Sequence, residues 1–124
     1  MMWLESFFSN PRGEYQPVNP WSLRKSARIK SLLIRIYSDI EGIQWQVDSS
    51  LRSHPDGIYL THPREAGLRA YLHVHGQSPG RAGLHLEFPA LDGRSPTYET
   101  YEDLNAARLS DILAAHFGMG YDIS

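Results

Sequence analysis

The hydrophobic period of this chain changes at Gly42, from that of a helix to that of a strand, and this commits it to packing helix against sheet. Between Pro20 and Gly42 there is no other proline or glycine. Asn19-Pro20 reads as an N-cap followed by proline at the first helical position, where its missing N–H costs nothing. On a helical wheel Trp21, Ile29, Leu32, Leu33, Ile36 and Ile40 share one arc of about 120°. Arg24, Arg28, Ser31, Arg35, Ser38 and Asp39 lie opposite. Gly42 supplies a left-handed stop. The pattern predicts a helix over residues 20–41. A strand over Leu32–Tyr37, alternating as Leu32, Ile34 and Ile36, is the competing reading, because these residues include β-branched ones.

After Gly42 the period is two. Ile43, Trp45 and Val47 alternate with Gln44, Gln46 and Asp48. Asp48–Gly57, rich in Ser, Pro and Gly, reads as a loop, and Gly57–Thr61 as a short strand. His62–Gly67 is a turn. Leu68, Ala70, Leu72 and Val74 alternate with Arg69, Tyr71, His73 and His75. Gly76–Gly83 connects to a strand in which Leu84, Leu86 and Phe88 alternate with His85 and Glu87. Asp92–Thr97 reads as a loop. Thr100-Tyr101-Glu102-Asp103 reads as a capping box opening a last helix, with Leu109, Ile112, Leu113, His116 and Phe117 on one side. Gly118 ends it. The expected fold is α+β, in the order α-β-β-β-β-α: an antiparallel meander of about four strands with both helices on its apolar face. Ile36 and Leu113 are expected at the centres of the two apolar helix faces.

At 124 residues the chain is expected to be one domain. Residues 1–19, with Trp3, Leu4, Phe7 and Phe8, read as an N-terminal arm, and residues 119–124 as a frayed tail. Cysteine is absent from the sequence, so disulfides, thiol catalysis and cysteine-ligated zinc are excluded. The N-terminus does not read as a signal peptide, since Glu5 comes early and the apolar run is short. No apolar run approaches a membrane span. A cytoplasmic protein is expected, with neither membrane nor nucleic acid as partner.

Charge is polarised within a formal net of −2. Residues 21–38 carry five positive charges (Arg24, Lys25, Arg28, Lys30 and Arg35) and no acid, whereas residues 98–124 carry five acids against Arg108. The Arg24, Arg28 and Arg35 stripe reads either as a solvated helix face or as a patch that steers an acidic partner.

The residues richest in chemistry fall on the polar face of the third and fourth strands. A hairpin across Gly76–Ala82 can place His73 opposite His85 and Tyr71 opposite Glu87, with Arg69 and His75 on the same face. Two such His-x-(His/Glu) pairs can ligate zinc, iron or manganese, or do acid–base work with Tyr71. The spacing does not match a cupin, because Glu87 lies twelve residues after His75. The third reading is a solvent-facing sheet surface that recognises a partner or is simply polar; recognition is expected here, with Arg69, Tyr71, His73, His75, His85 and Glu87 as contact residues. No catalytic residue, metal or cofactor is expected. His116 is expected to interact with the carbonyls at its helix end. Gln77-Ser78-Pro79-Gly80-Arg81 is not a phosphate loop, and His54 reads as loop.

Gly83-Leu84-His85-Leu86-Glu87-Phe88-Pro89, then Tyr101-Glu102-Asp103-Leu104 and the helix ending Ala115-His116-Phe117-Gly118, resemble the small immunity proteins of bacterial polymorphic-toxin systems over residues 57–118. The resemblance implies a cytoplasmic α+β domain without an active site, which neutralises a cognate toxin by covering its catalytic cleft. The alternative is a small metal- or His-dependent enzyme using His73, His75, His85 and Glu87.

Overall fold

A computed structural model describes residues 20, 23–48, 54–91 and 93–118. The N-terminal arm, the Asn19 cap, Trp21, most of the serine-rich loop and the C-terminal tail lie outside the described residues. The fold is α+β: a helix α1 (Ala27–Asp39), a five-stranded antiparallel meander and a second helix α2 (Ala106–Phe117). The strands are β1 (Gln46–Asp48), β2 (Gly57–Thr61), β3 (Arg69–His73), β4 (Ala82–Phe88) and β5 (Thr97–Leu104), and each pairs with the next. No helix among the described residues is long and apolar enough to cross a membrane.

Leu32–Tyr37 is helical, as its wheel predicts, but α1 is shorter than the expected 20–41. Ser26 is its N-cap, its hydroxyl accepting from the Ile29 N–H at 3.4 Å. Pro20 sits in a separate 3₁₀ turn. The helix ends where Ile40 turns extended to enter the core, so the left-handed Gly42 (φ +66°) redirects the chain two residues after the cap. Gly118 caps α2 as expected, at φ 66°.

The fifth strand is the main correction to the fold expected from sequence. Thr97–Leu104 is a strand, and Asn105, not Thr100, caps α2, accepting from the Arg108 N–H at 2.9 Å. Tyr and Thr suit a strand, and the β4 edge was waiting for a partner. Between Ala82 and Leu84 the β4–β5 pairing carries a bulge, where Glu102 and Asp103 together face Gly83. Asp103 takes the left-handed conformation (φ 58°). The extra residue lets both Tyr101 and Leu104 pack against the core although they lie three apart.

Both helices cover one face of the sheet. Ile58, Leu60, Ala70, Leu72, Leu84 and Leu86 point inward against Ile29, Leu33 and Ile36 of α1 and Leu109, Leu113 and Phe117 of α2. Trp45, just before β1, is fully buried, its ring 6.2 Å from Tyr37 and 5.2 Å from Phe117. Burial pushes the Tyr37 hydroxyl up to about 12. The buried Ser110 hydroxyl of α2 donates to Asp39 at the end of α1, at 3.0 Å. His116 does not serve its own helix end. Its Nε2–H donates to the Arg69 carbonyl of β3 at 2.9 Å and ties α2 to the sheet.

Candidate functional site

The opposite face of the sheet is the one the helices leave open. Cross-strand register arranges its side chains in rows. One row runs Asp48, Tyr59, Tyr71, His85 and Thr100. The next runs Gln46, Thr61, Arg69, Glu87 and Tyr98. The third runs Gly57, His73 and Gly83 and meets the β5 bulge. Every contact residue expected from sequence lies on this face or, for His75, just beyond the end of β3, where its ring stacks 5.2 Å from that of His73.

The expected pairing is off by two residues. His85 faces Tyr71, Glu87 faces Arg69 and His73 faces Gly83. A slip of two preserves which face each side chain occupies, so alternation alone does not choose between these registers. The observed one sets Arg69 against Glu87. The Arg69 Nε and Nη2 both donate to Glu87 Oε1, at 2.9 and 2.8 Å, and the guanidinium lies 4.7 Å over the Tyr59 ring. That carboxylate is engaged in an ion pair and is not grouped with the histidines.

The same register puts glycines on both sides of His73, and the rings lie over them. A Cβ at Gly57 would collide with the Tyr71 ring. A Cβ at Gly83 would collide with the His73 ring and stand 2.8 Å from Glu102 Oε2. The His73 ring is thereby sunk into the sheet surface, with the residue only 4% exposed. Among the described residues neither of its ring nitrogens has a hydrogen-bond partner, and Nε2 is 3.5 Å from Glu102 Oε2. Burial lowers its pKa, with His85 and His75 acting in the same direction and Glu102 opposing, so the neutral imidazole is favoured.

Around His73 the rings form a continuous strip. His85 stands edge-on at 4.9 Å and Tyr71 lies at 5.7 Å. Tyr71 and His75 share a hydrogen bond at 2.9 Å, and the His54 ring meets that of His75 at 4.6 Å. Burial, more than the neighbouring Tyr59 and Asp56, raises the Tyr71 hydroxyl above its ordinary value. His73, His85 and Glu102 bring three potential ligand atoms within 4.8 Å of one another, and His54, Asp56 and His75 form a second such group.

Glu102 and Gln77 were not among the candidates drawn from sequence. The signal for Glu102 was the alternation Tyr98, Thr100, Glu102, which the capping-box reading concealed. The Gln77 amide donates to Glu102 Oε1 at 2.9 Å and its oxygen accepts from the Asp103 N–H at 2.8 Å, so this one side chain braces the bulge.

The arginine stripe divides into different surroundings. Arg24 is exposed. The Arg28 guanidinium donates to the carbonyls of Gln77 and Ser78 at 3.1 and 2.9 Å, holding the β3–β4 loop against α1. Arg35 pairs with Asp39 one turn on, at 3.0 Å.

No family model, curated protein or solved structure matches this chain.

Proposed function

We propose that this chain is an immunity protein, a cytoplasmic binding module that neutralises a cognate bacterial toxin by laying the open face of its sheet over the toxin's active site. The observation that carries the reading is that face itself: Arg69, Tyr71, His85 and Glu87, joined by Tyr59, stand in rows on paired strands that neither helix covers, with His75 just past the end of β3. Tyrosine and arginine dominate the energetic centres of protein interfaces. Here they are held in place before any partner arrives, Arg69 by Glu87 and Tyr59, and Tyr71 by His75. Side chains already ordered lose less entropy on binding. The alternative, a small metal- or His-dependent enzyme using His73, His75, His85 and Glu87, has less support at Glu87, whose Oε1 is paired with Arg69.

The test is binding to a candidate toxin encoded beside this gene. The double variant Tyr71→Ala with Glu87→Ala is expected to dissociate at least about tenfold faster with little change in association rate. Arg24→Glu, on the exposed part of the basic stripe, is expected to slow association and reduce its salt dependence. A double variant that binds and protects cells like the parent would show that the surface is wrong. If no neighbouring product binds, the immunity reading falls.

A further inference from the structure

We infer that His73, His85 and Glu102 form a binding site for a divalent transition metal of the zinc class, with one coordination position left for water or an exogenous ligand. The inference does not rest on the immunity reading. Two imidazoles and a carboxylate are a donor set suited to zinc. Three potential ligand atoms from three different strands lie within 4.8 Å of one another. The His73 Nε2 to Glu102 Oε2 separation of 3.5 Å is too long for a good hydrogen bond but suits a shared ion. With both bonds near the ordinary ~2.05 Å, that separation subtends about 117° at the metal, close to tetrahedral.

His73 supplies the independent observation. It is almost wholly buried, and neither ring nitrogen has a hydrogen-bond partner among the described residues. A buried polar group left in that state is costly, and a cation at Nε2 would supply the missing partner. The surroundings seat the ring and hold the carboxylate in position. Gly83 leaves out the methyl group that would collide with the His73 ring. The bulge at Asp103 turns Glu102 toward His73, and the Gln77 amide holds Oε1 so that Oε2 faces the imidazole. Such outer hydrogen bonds orient metal ligands and raise affinity. His85 and Glu102 are the more exposed members, so the fourth position opens to solvent.

The neighbouring group of His54, Asp56 and His75 is the weaker site. Nδ1 of His54 already accepts from the Asp56 N–H at 3.0 Å, and Nε2 of His75 is bonded to Tyr71.

Zinc titrated into the metal-stripped full chain, followed by calorimetry and by thermal melting, tests the site. One equivalent is expected to bind and raise the melting temperature. His85→Ala and Glu102→Gln, both at accessible positions, are each expected to weaken zinc at least about tenfold, and Gln77→Ala about tenfold. His54→Ala is expected to leave affinity unchanged. Circular dichroism identifies any variant that fails to fold, and Glu102→Gln, which keeps the side chain's shape, preserves a folded comparison. Zinc binding weaker than about 1 mM by the parent would overturn the site. So would zinc binding that survives both His85→Ala and Glu102→Gln, or that is lost in His54→Ala.

Discussion

At Gly83 a single missing methyl group determines what the outer face of the sheet can hold. The His73 ring lies where a Cβ would go, so Gly83→Ala forces either the ring or the strand to move. Overpacking of this kind costs about 1–3 kcal/mol, and a shift in the urea midpoint should show it. His116 offers a second residue-scale prediction. Its Nε2–H is held by the Arg69 carbonyl between the rings of Phe88 and Phe117. Burial lowers its pKa, opposed by that hydrogen bond and by Glu99. With the folded value below the unfolded one, the unfolded chain binds more protons between the two. The contribution is therefore complete above about pH 6.5 and is lost as pH falls through the folded value. Urea midpoints of the metal-free protein should fall from pH 7.5 to pH 5.5, and His116→Gln should reduce that slope. An identical slope in the variant would remove His116 as a cause.

The elements depend on caps and on apolar stripes. Ser26 satisfies the first turn of α1, so Ser26→Ala should cost about 0.5–2 kcal/mol. Ile36 and Leu113 are fully buried at the centres of the two helix faces. Truncating either to alanine should cost about 2–5 kcal/mol in denaturant unfolding, and losses below about 0.5 kcal/mol at both would contradict the packing described. At β5 the bulge is what allows an exposed edge strand to serve both faces. Tyr101 and Leu104 point toward the core while Glu102 reaches the open face. The charges of Glu99, Glu102 and Asp103 also discourage another strand from pairing with that edge.

Across the whole molecule, Trp45 joins structures that are far apart in sequence. Its ring contacts Tyr37 of α1 and Phe117 of α2, immediately before the chain enters the sheet. Trp45→Ala should therefore lower global stability by about 3–5 kcal/mol, and should reduce amide protection in both helices together. Protection lost in α1 alone would mean that the helices unfold independently. The one-sided cover of the sheet is the other molecular-scale feature. It separates a face that holds the hydrophobic core from one that carries Tyr59, Arg69, Tyr71 and His85 in rows.

Local periodicity was enough to read the helix through Leu32–Tyr37, β2, β3 and β4, and the α+β class. It also showed that Arg69, Tyr71, His73, His85 and Glu87 share a face, because side chains alternate strictly along a strand. The same period of two hides the register, since a slip of two residues leaves every side chain on its own face. Only the paired sheet chose Arg69 for Glu87 and Gly83 for His73. Thr97–Leu104 became a strand because the free edge of β4 offered backbone partners, a long-range term that outweighs a local cap signal. The bulge then brought Glu102, twenty-nine residues from His73 in sequence, to a histidine whose two buried ring nitrogens have no hydrogen-bond partner among the described residues. Which face a residue occupies is set by its immediate neighbours in the chain. Which residue it meets there is set by loop geometry and strand pairing, and these exist only once the sheet has formed.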